Sequence, residues 1–263
     1  MITRDEKKTN INKIELIVMR KNNRIWIYPL STMVIFLMFI SIPIESNAQD
    51  STEVVKDNDG NVYKTVKLGT QTWMAENLKT TKYNDSTAIP LAILDFIWEG
   101  LTIPAYCWYN NDSIVSKNTS GALYNWYAVN TSKLCPTGWH VPTDYEWEIL
   151  ENYLKKNGYA YGDILKAFIA KSMAAVGGWK VSDVLGAVGN DQVSNNSSGF
   201  TGLPGGTRMD NGAYGFIGVV GIWWSSTEFR PFAMFRRLRF NERILYRAYY
   251  NKKGGLSVRC LKD

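Results

Sequence analysis

From Thr143 to Gly158 the apolar positions follow a helical period: Trp147, Leu150 and Leu154 stand at i, i+3 and i+7, while Glu148, Glu151, Lys155 and Lys156 fall on the other side. This pattern predicts one helix with a single apolar stripe. Thr143 and Glu146 form a capping box at its start, because the threonine oxygen and the glutamate carboxylate each satisfy a backbone N–H without an intrahelical partner. Gly158 is the natural stop. A second helix is expected from an Asp163 cap to about Ala175, with Leu165, Phe168, Ile169 and Met173 on one side and Gly177-Gly178 at its end.

Elsewhere the period is that of strands. Val62 to Leu68 alternates so that Val62, Val66 and Leu68 share a face, which predicts a half-buried strand. Gly69-Thr70 turns it into a hairpin partner, Gln71 to Leu78, with Trp73 and Met74 entering the core. Asp57-Asn58-Asp59-Gly60 lacks the alternating acids and distant glutamate of a calcium loop and reads as a turn. Ile222 to Ser226, Met234 to Phe240 and Leu256 to Leu261 are strand-like, and Leu203-Pro204-Gly205-Gly206 reads as a compact turn. Ala88 to Pro104 is apolar but broken by Pro90, Asp95, Gly100 and Pro104, as in a buried loop, and Trp179 to Gly199 is polar surface loop.

Two aromatic clusters precede the capped helix, Ala105 to Tyr109 and Gly121 to Tyr127. They are read as core in preference to a sugar-stacking platform, because aromatics supply large buried area with polar tips.

The N-terminal part has a different character. Trp26 to Ile44 is apolar, preceded by Arg20, Lys21 and Arg24 and followed by Ser46-Asn47-Ala48, so residues 19–48 read as a secretory signal, with an uncleaved membrane anchor as the competing reading. Residues 1–18 are an expected upstream misassigned extension, 49–56 a leader and 57–263 one domain, and the protein is expected to be exported. Seven Lys/Arg and four Asp/Glu lie in residues 1–48, so half of the formal charge of +6 belongs to that segment. From Phe229 onward ten Lys and Arg face only Glu242 and Asp263, a run read as solvated strand faces, with no nucleic-acid partner expected.

The three cysteines of an exported chain permit one disulfide. Cys135 with Cys260 would close a loop of more than a hundred residues, a restraint of about 4 kcal/mol or more. Cys107 is read as a buried free thiol or as the competing partner, since spacing alone does not fix connectivity.

Catalytic chemistry has little to draw on. His140 is the only histidine, which excludes a multi-histidine metal site, and a structural role outweighs that of a general base. Asp144, Glu146, Glu148 and Glu151 are explained by capping and the helix dipole rather than as a glycosidase pair. Neither Asn84-Asp85 nor Asn110-Asn111-Asp112 has the setting of a calcium-dependent sugar site, so no metal and no cofactor are expected.

The segments DGNVYKTVKLGTQTWMAENLKTTKYND, PAYCWYNND, GALYNWYAVNTSKLCPTGWHVPTDYEWEIL, GFTGLPGGTR, WWSSTE and NKKGGLSVRCLKD, in this order from Asp59 to Asp263, resemble the Fibrobacter succinogenes major paralogous domain. A remoter similarity is to the formylglycine-generating, sulfatase-modifying group, through its helix start and Arg-Cys final strand. That similarity implies an α+β, C-type-lectin-like fold of small antiparallel sheets, two main helices and adjoining termini. It does not carry the activity over, because those enzymes use a pair of cysteines near the C-terminal part, where only Cys260 stands. The expected function is a secreted or cell-surface, non-catalytic module that binds a glycan or a protein, with Trp108, Tyr109, Arg208, Trp223 and Trp224 as contacts. The alternative is a degenerate enzyme of the sulfatase-modifying group.

Overall fold

The computed structural model describes residues 54–162 and 167–263. The expectations for residues 1–53, including the signal or anchor, and for Asp163 and Leu165 lie outside the described residues.

The elements in chain order are β1 (Val54–Lys56), β2 (Val62–Leu68), β3 (Gln71–Met74), α1 (Asp95–Glu99), β4 (Tyr106–Cys107), α2 (Ser113–Asn118), β5 (Leu123–Tyr124), α3 (Trp126–Val129), β6 (Trp139–His140), α4 (Asp144–Lys156) and α5 (Ala170–Met173). They continue with β7 (Gly205–Arg208), β8 (Tyr214–Ile217), β9 (Val220–Phe229), β10 (Phe232–Arg239), β11 (Tyr246–Asn251) and β12 (Leu261–Lys262). The architecture is mixed α and β, built from small antiparallel sheets: a five-stranded sheet in the order β1-β2-β3-β12-β6, a three-stranded sheet β11-β10-β9, and the pairs β4-β5 and β7-β8.

The capped helix α4 forms where the periodicity places it. Thr143 Oγ1 accepts from the Glu146 backbone N–H at 3.2 Å, and the Glu146 carboxylate accepts from the Thr143 N–H at 2.7 Å. Trp147, Leu150 and Leu154 are fully buried, and Trp147 packs on Trp73 with ring centroids 4.7 Å apart. Among the described residues only one helix is long, however. α5 is a single turn of four residues, and the N–H groups before it bond outside any helix: Ile169 to the Ala167 carbonyl and Ala170 to the Arg243 carbonyl.

β2 is half-buried as its alternation predicts, but Tyr63 and Thr65 are inside with Leu68, while Val62 is exposed and Val66 only partly covered. Tyr63 and Met74 enter one apolar cluster, with Tyr124, Trp126, Trp224 and Val258. Leu68 and Trp73 enter a second, with Trp147, Leu150, Leu154, Phe200 and Trp223. Successive strand residues point to opposite faces, so neighbours such as Trp73 and Met74 serve different cores. Val62 overhangs the second core and is 52% exposed, whereas Tyr63 is buried with its hydroxyl donating to Asp57 Oδ2 at 2.6 Å. Asp57 also accepts from the backbone N–H groups of Asp59 and Asn61, so this carboxylate builds the turn itself.

Three further expectations change. The 88–104 segment is only partly a buried loop: Ile89, Ala92 and Trp98 are inside, but Leu94, Phe96 and Ile103 are 50%, 69% and 58% exposed. Gly205 and Gly206 form the start of β7 rather than a turn; at Gly206 (φ 68°) a Cβ would meet the Gly215 carbonyl at 2.7 Å, a close approach that requires glycine. The C-terminal basic run is not uniformly solvated, since Arg236 and Arg259 are fully buried. Arg259 donates to the carbonyls of Phe200 and Thr201 and to Asn77 Oδ1, and its guanidinium lies 4.1 Å from the Phe200 ring centroid.

Cys135 and Cys260 are joined in a disulfide, and Cys107 is a buried free thiol. The bridge stands beside β12, which pairs with both β3 and β6 through Leu261 opposite Trp73 and His140.

Candidate functional site

The β7-β8 hairpin lies beside the three-stranded sheet and encloses with it a groove of about 290 Å³. Alternation along β10 sends Phe235, Arg237 and Arg239 to one face, and register places Ile222 opposite Arg237 and Val220 opposite Arg239 on β9. Tyr249 and Tyr250 of β11, Leu256, and Thr207, Met209 and Phe216 of the hairpin complete the lining. Phe216 is 52% exposed and holds a left-handed backbone, φ 66°. A non-glycine aromatic in that region is a costly conformation of the kind found at ligand clamps.

The groove's polar groups are few. Thr207 Oγ1 donates to the Gly255 carbonyl at 3.0 Å. Arg237 Nη2 donates to both carboxylate oxygens of Glu242 at 2.8 and 2.9 Å, and its guanidinium stacks 4.5 Å from the Tyr246 ring centroid. The Nε–H groups of Arg237 and Arg239 are buried and reach no protein acceptor among the described residues. The Tyr250 hydroxyl is pushed up by burial and by the neighbouring Asp210 carboxylate.

The residues expected from sequence to touch a ligand stand elsewhere, and mostly inside. Trp223 and Trp224 are fully buried, one in each core, with their indole N–H groups donating to Asn77 Oδ1 and the Tyr124 carbonyl, both at 2.8 Å. Arg208 is also fully buried: it donates to the Ala92, Ile93 and Gly212 carbonyls and to Asp95 Oδ1, and is sandwiched between the Trp98 and Tyr214 rings at 4.5 and 4.7 Å. It braces the hairpin against the chain before α1. Trp108 is 6% exposed; Tyr109 is partly buried against Tyr214. Trp108, Arg208, Trp223 and Trp224 are therefore too deeply buried to form a contact surface, and Tyr109 keeps only part of its ring exposed. Exposed aromatics are found instead at the far end of β9 and β10, where Tyr249 stacks between Phe229 and Phe232 at 4.8 and 5.2 Å.

The groove residues missed by sequence reasoning did carry a signal. Phe235-Arg236-Arg237-Leu238-Arg239 places cations on both faces of one strand, and a strand with one face in water has no need to put arginine among its apolar positions.

His140 and the carboxylates of Asp144, Glu146 and Glu151 are engaged in ion pairs and capping contacts. His140 Nδ1 lies 2.6 Å from Asp263 Oδ1 and Nε2 lies 2.9 Å from Glu146 Oε1, so the ring ties the last residue to the helix start. Burial works against the charged ring, but Asp263 and Glu146 outweigh it and raise its pKa above the usual 6.5. A raised value in the folded state contributes stability that is full below about pH 6.5 and is lost as pH rises through the folded pKa. His140→Gln is accordingly expected to cost most near pH 5 and least near pH 9. Thermal melts of both proteins across that range check this, and a gap independent of pH would refute it.

No curated protein and no solved structure matches the chain. The profile of one family matches residues 66–262, which takes in all three walls of the groove, and on that match this chain belongs to the Fibrobacter succinogenes major domain family.

Proposed function

We propose that the protein is an exported, non-catalytic recognition module of C-type-lectin-like build that holds a glycan in the groove between the β7-β8 hairpin and the β9-β10-β11 sheet. The observation that carries this reading is the groove itself: a concave, mainly apolar surface with a small number of polar groups, close to the lower size limit of small-ligand sites. Its aromatic walls suit the C–H face of a sugar ring, and Phe216 stands half-exposed at its edge.

The cysteine chemistry supports the other two parts. A structural disulfide belongs to oxidising compartments and so accords with export. Cys260 is spent in that bridge, and the Cys107 thiol is fully buried, with burial pushing its pKa up to about 11, so neither offers a thiolate nucleophile. A protein partner is the second reading, favoured by the exposed apolar side chains Leu94, Phe96, Ile97 and Ile103 around α1.

A glycan array probed with the protein, followed by titration of the best ligand, tests the proposal. Phe216→Ala is expected to weaken binding by about tenfold, the loss of one stacked ring, while leaving the thermal midpoint unchanged. Undiminished binding in that variant would remove the groove as the site, and silence across the array would leave the protein-partner reading.

A further inference from the structure

Resting on the groove reading above, the geometry points to an acidic saccharide, a pyranose bearing a carboxylate, as the ligand, with Arg239 as the residue that receives its charge.

Arg237 and Arg239 are alternate residues of β10 on the groove face, about 7 Å apart along the strand. Their charges are unequally balanced. Glu242 holds Arg237 through Nη2, and no carboxylate among the described residues pairs with Arg239, whose Nε–H, like that of Arg237, is buried without an acceptor. Arg239 therefore lines the groove as a guanidinium with no carboxylate to balance it among the described residues, and an anionic acceptor supplied from outside would complete it. A carboxylate meets that need best, because its two oxygens match the fork of a guanidinium.

The carboxylate beside the groove residue Tyr250 is that of Asp210, which accepts from Asn251 Nδ2 at 3.0 Å. Tyr250 pairs with Ala233, six residues from Arg239 on β10 and so about 20 Å along the strand. That exceeds the screening length of roughly 8 Å at physiological salt. Asp210 therefore leaves the positive end intact and gives the groove polarity: acceptor at one end, donor at the other. The walls between, Phe216, Phe235, Ile222 and Leu256, are apolar. A ring with a C–H face covers such walls, whereas the carboxylate of a flexible acidic peptide would satisfy Arg239 and leave them bare. A polyphosphate would need a run of unpaired cations, and Glu242 already occupies one of these two.

Methyl glucuronide and methyl glucoside share a ring and differ in the carboxylate, so they serve as probes, titrated into the isotope-labelled full chain and followed by amide shifts. The glucuronide is expected to bind at least about tenfold more tightly (about 1.4 kcal/mol). Arg239→Gln is expected to abolish that preference, Arg239→Lys to retain part of it, and Arg243→Gln, whose guanidinium lies over Phe168, to leave it intact. Equal binding of the two sugars, lost in Phe216→Ala, would overturn the acidic assignment and keep the groove as a glycan site. A glucuronide preference that survives Arg239→Gln would overturn the role of Arg239. Neither probe moving the groove amides at tens of millimolar would overturn the inference; if Phe216→Ala also left array binding unchanged, the groove reading would fall with it.

Discussion

Replacing Cys135 and Cys260 together by alanine is expected to lower the free energy of unfolding by about 5 kcal/mol. The bridge spans 125 residues, and on the chain-entropy account its main effect is to deny the unfolded chain the conformations in which those ends lie apart. Alanine is the appropriate replacement because both cysteines are buried, at 2% and 0% exposure, and a serine hydroxyl there would add its own desolvation cost. Against the 5–15 kcal/mol typical of a domain, such a loss removes between about a third and all of the folding stability. Urea transitions of the wild-type protein and the variant, compared by midpoint and slope, provide the measurement. Coincident midpoints would show that the bridge restrains nothing the packing has not already fixed.

Arg236→Met is expected to cost about 3–5 kcal/mol, the usual effect of removing one partner from a buried charge cluster. Arg236 is fully buried; its Nη1 lies 2.5 Å from Asp144 Oδ1 and its Nε lies 2.7 Å from Glu151 Oε1, so one guanidinium joins the first and second turns of α4 to β10. Methionine matches the volume and leaves two carboxylates short of a partner. Arg247 also reaches Asp144, at 2.6 Å, but is half exposed, and Arg247→Met should cost no more than about 1 kcal/mol.

The pH dependence supplies an independent check. Burial would raise the Asp144 pKa, but Arg247 and Arg236 outweigh it and hold it below the usual value. A lowered folded-state pKa contributes stability that is present above the unfolded value, about 3.9, and is lost as pH falls through the folded one. The gap between the wild-type protein and Arg236→Met should therefore narrow from pH 6 down to pH 3. A constant gap would assign the loss to packing alone.

What could be read from sequence was what is local in the chain. The capping box of α4, its buried stripe, the β2-β3 hairpin and the inward aromatics of β4 and β5 are fixed by neighbours within a few residues, and the structure has them. The errors concern what lies over each surface. Alternation distinguishes the two faces of a strand without telling which is covered, and the first six residues of β9 are covered on both, so Trp223 and Trp224 were misplaced as contacts. Arg208 was misread for the same reason: its four partners come from residues 92–95 and 212, and nothing in the sequence around it announces them. The groove draws on β7, β8, β9, β10 and β11, and it exists only once the hairpin has settled beside the sheet.

The position of β12 has a consequence for how the protein is made. This strand, Leu261–Lys262, sits in the interior of the five-stranded sheet, between β3 and β6, both far earlier in the sequence. Ribosomal synthesis delivers those residues more than a hundred positions after β6, at roughly 5–20 residues per second, so β3 and β6 wait several seconds or more as unsheltered edges before the strand that separates them emerges. An exported chain that is threaded across a membrane before it folds avoids that interval, since all strands are then present together.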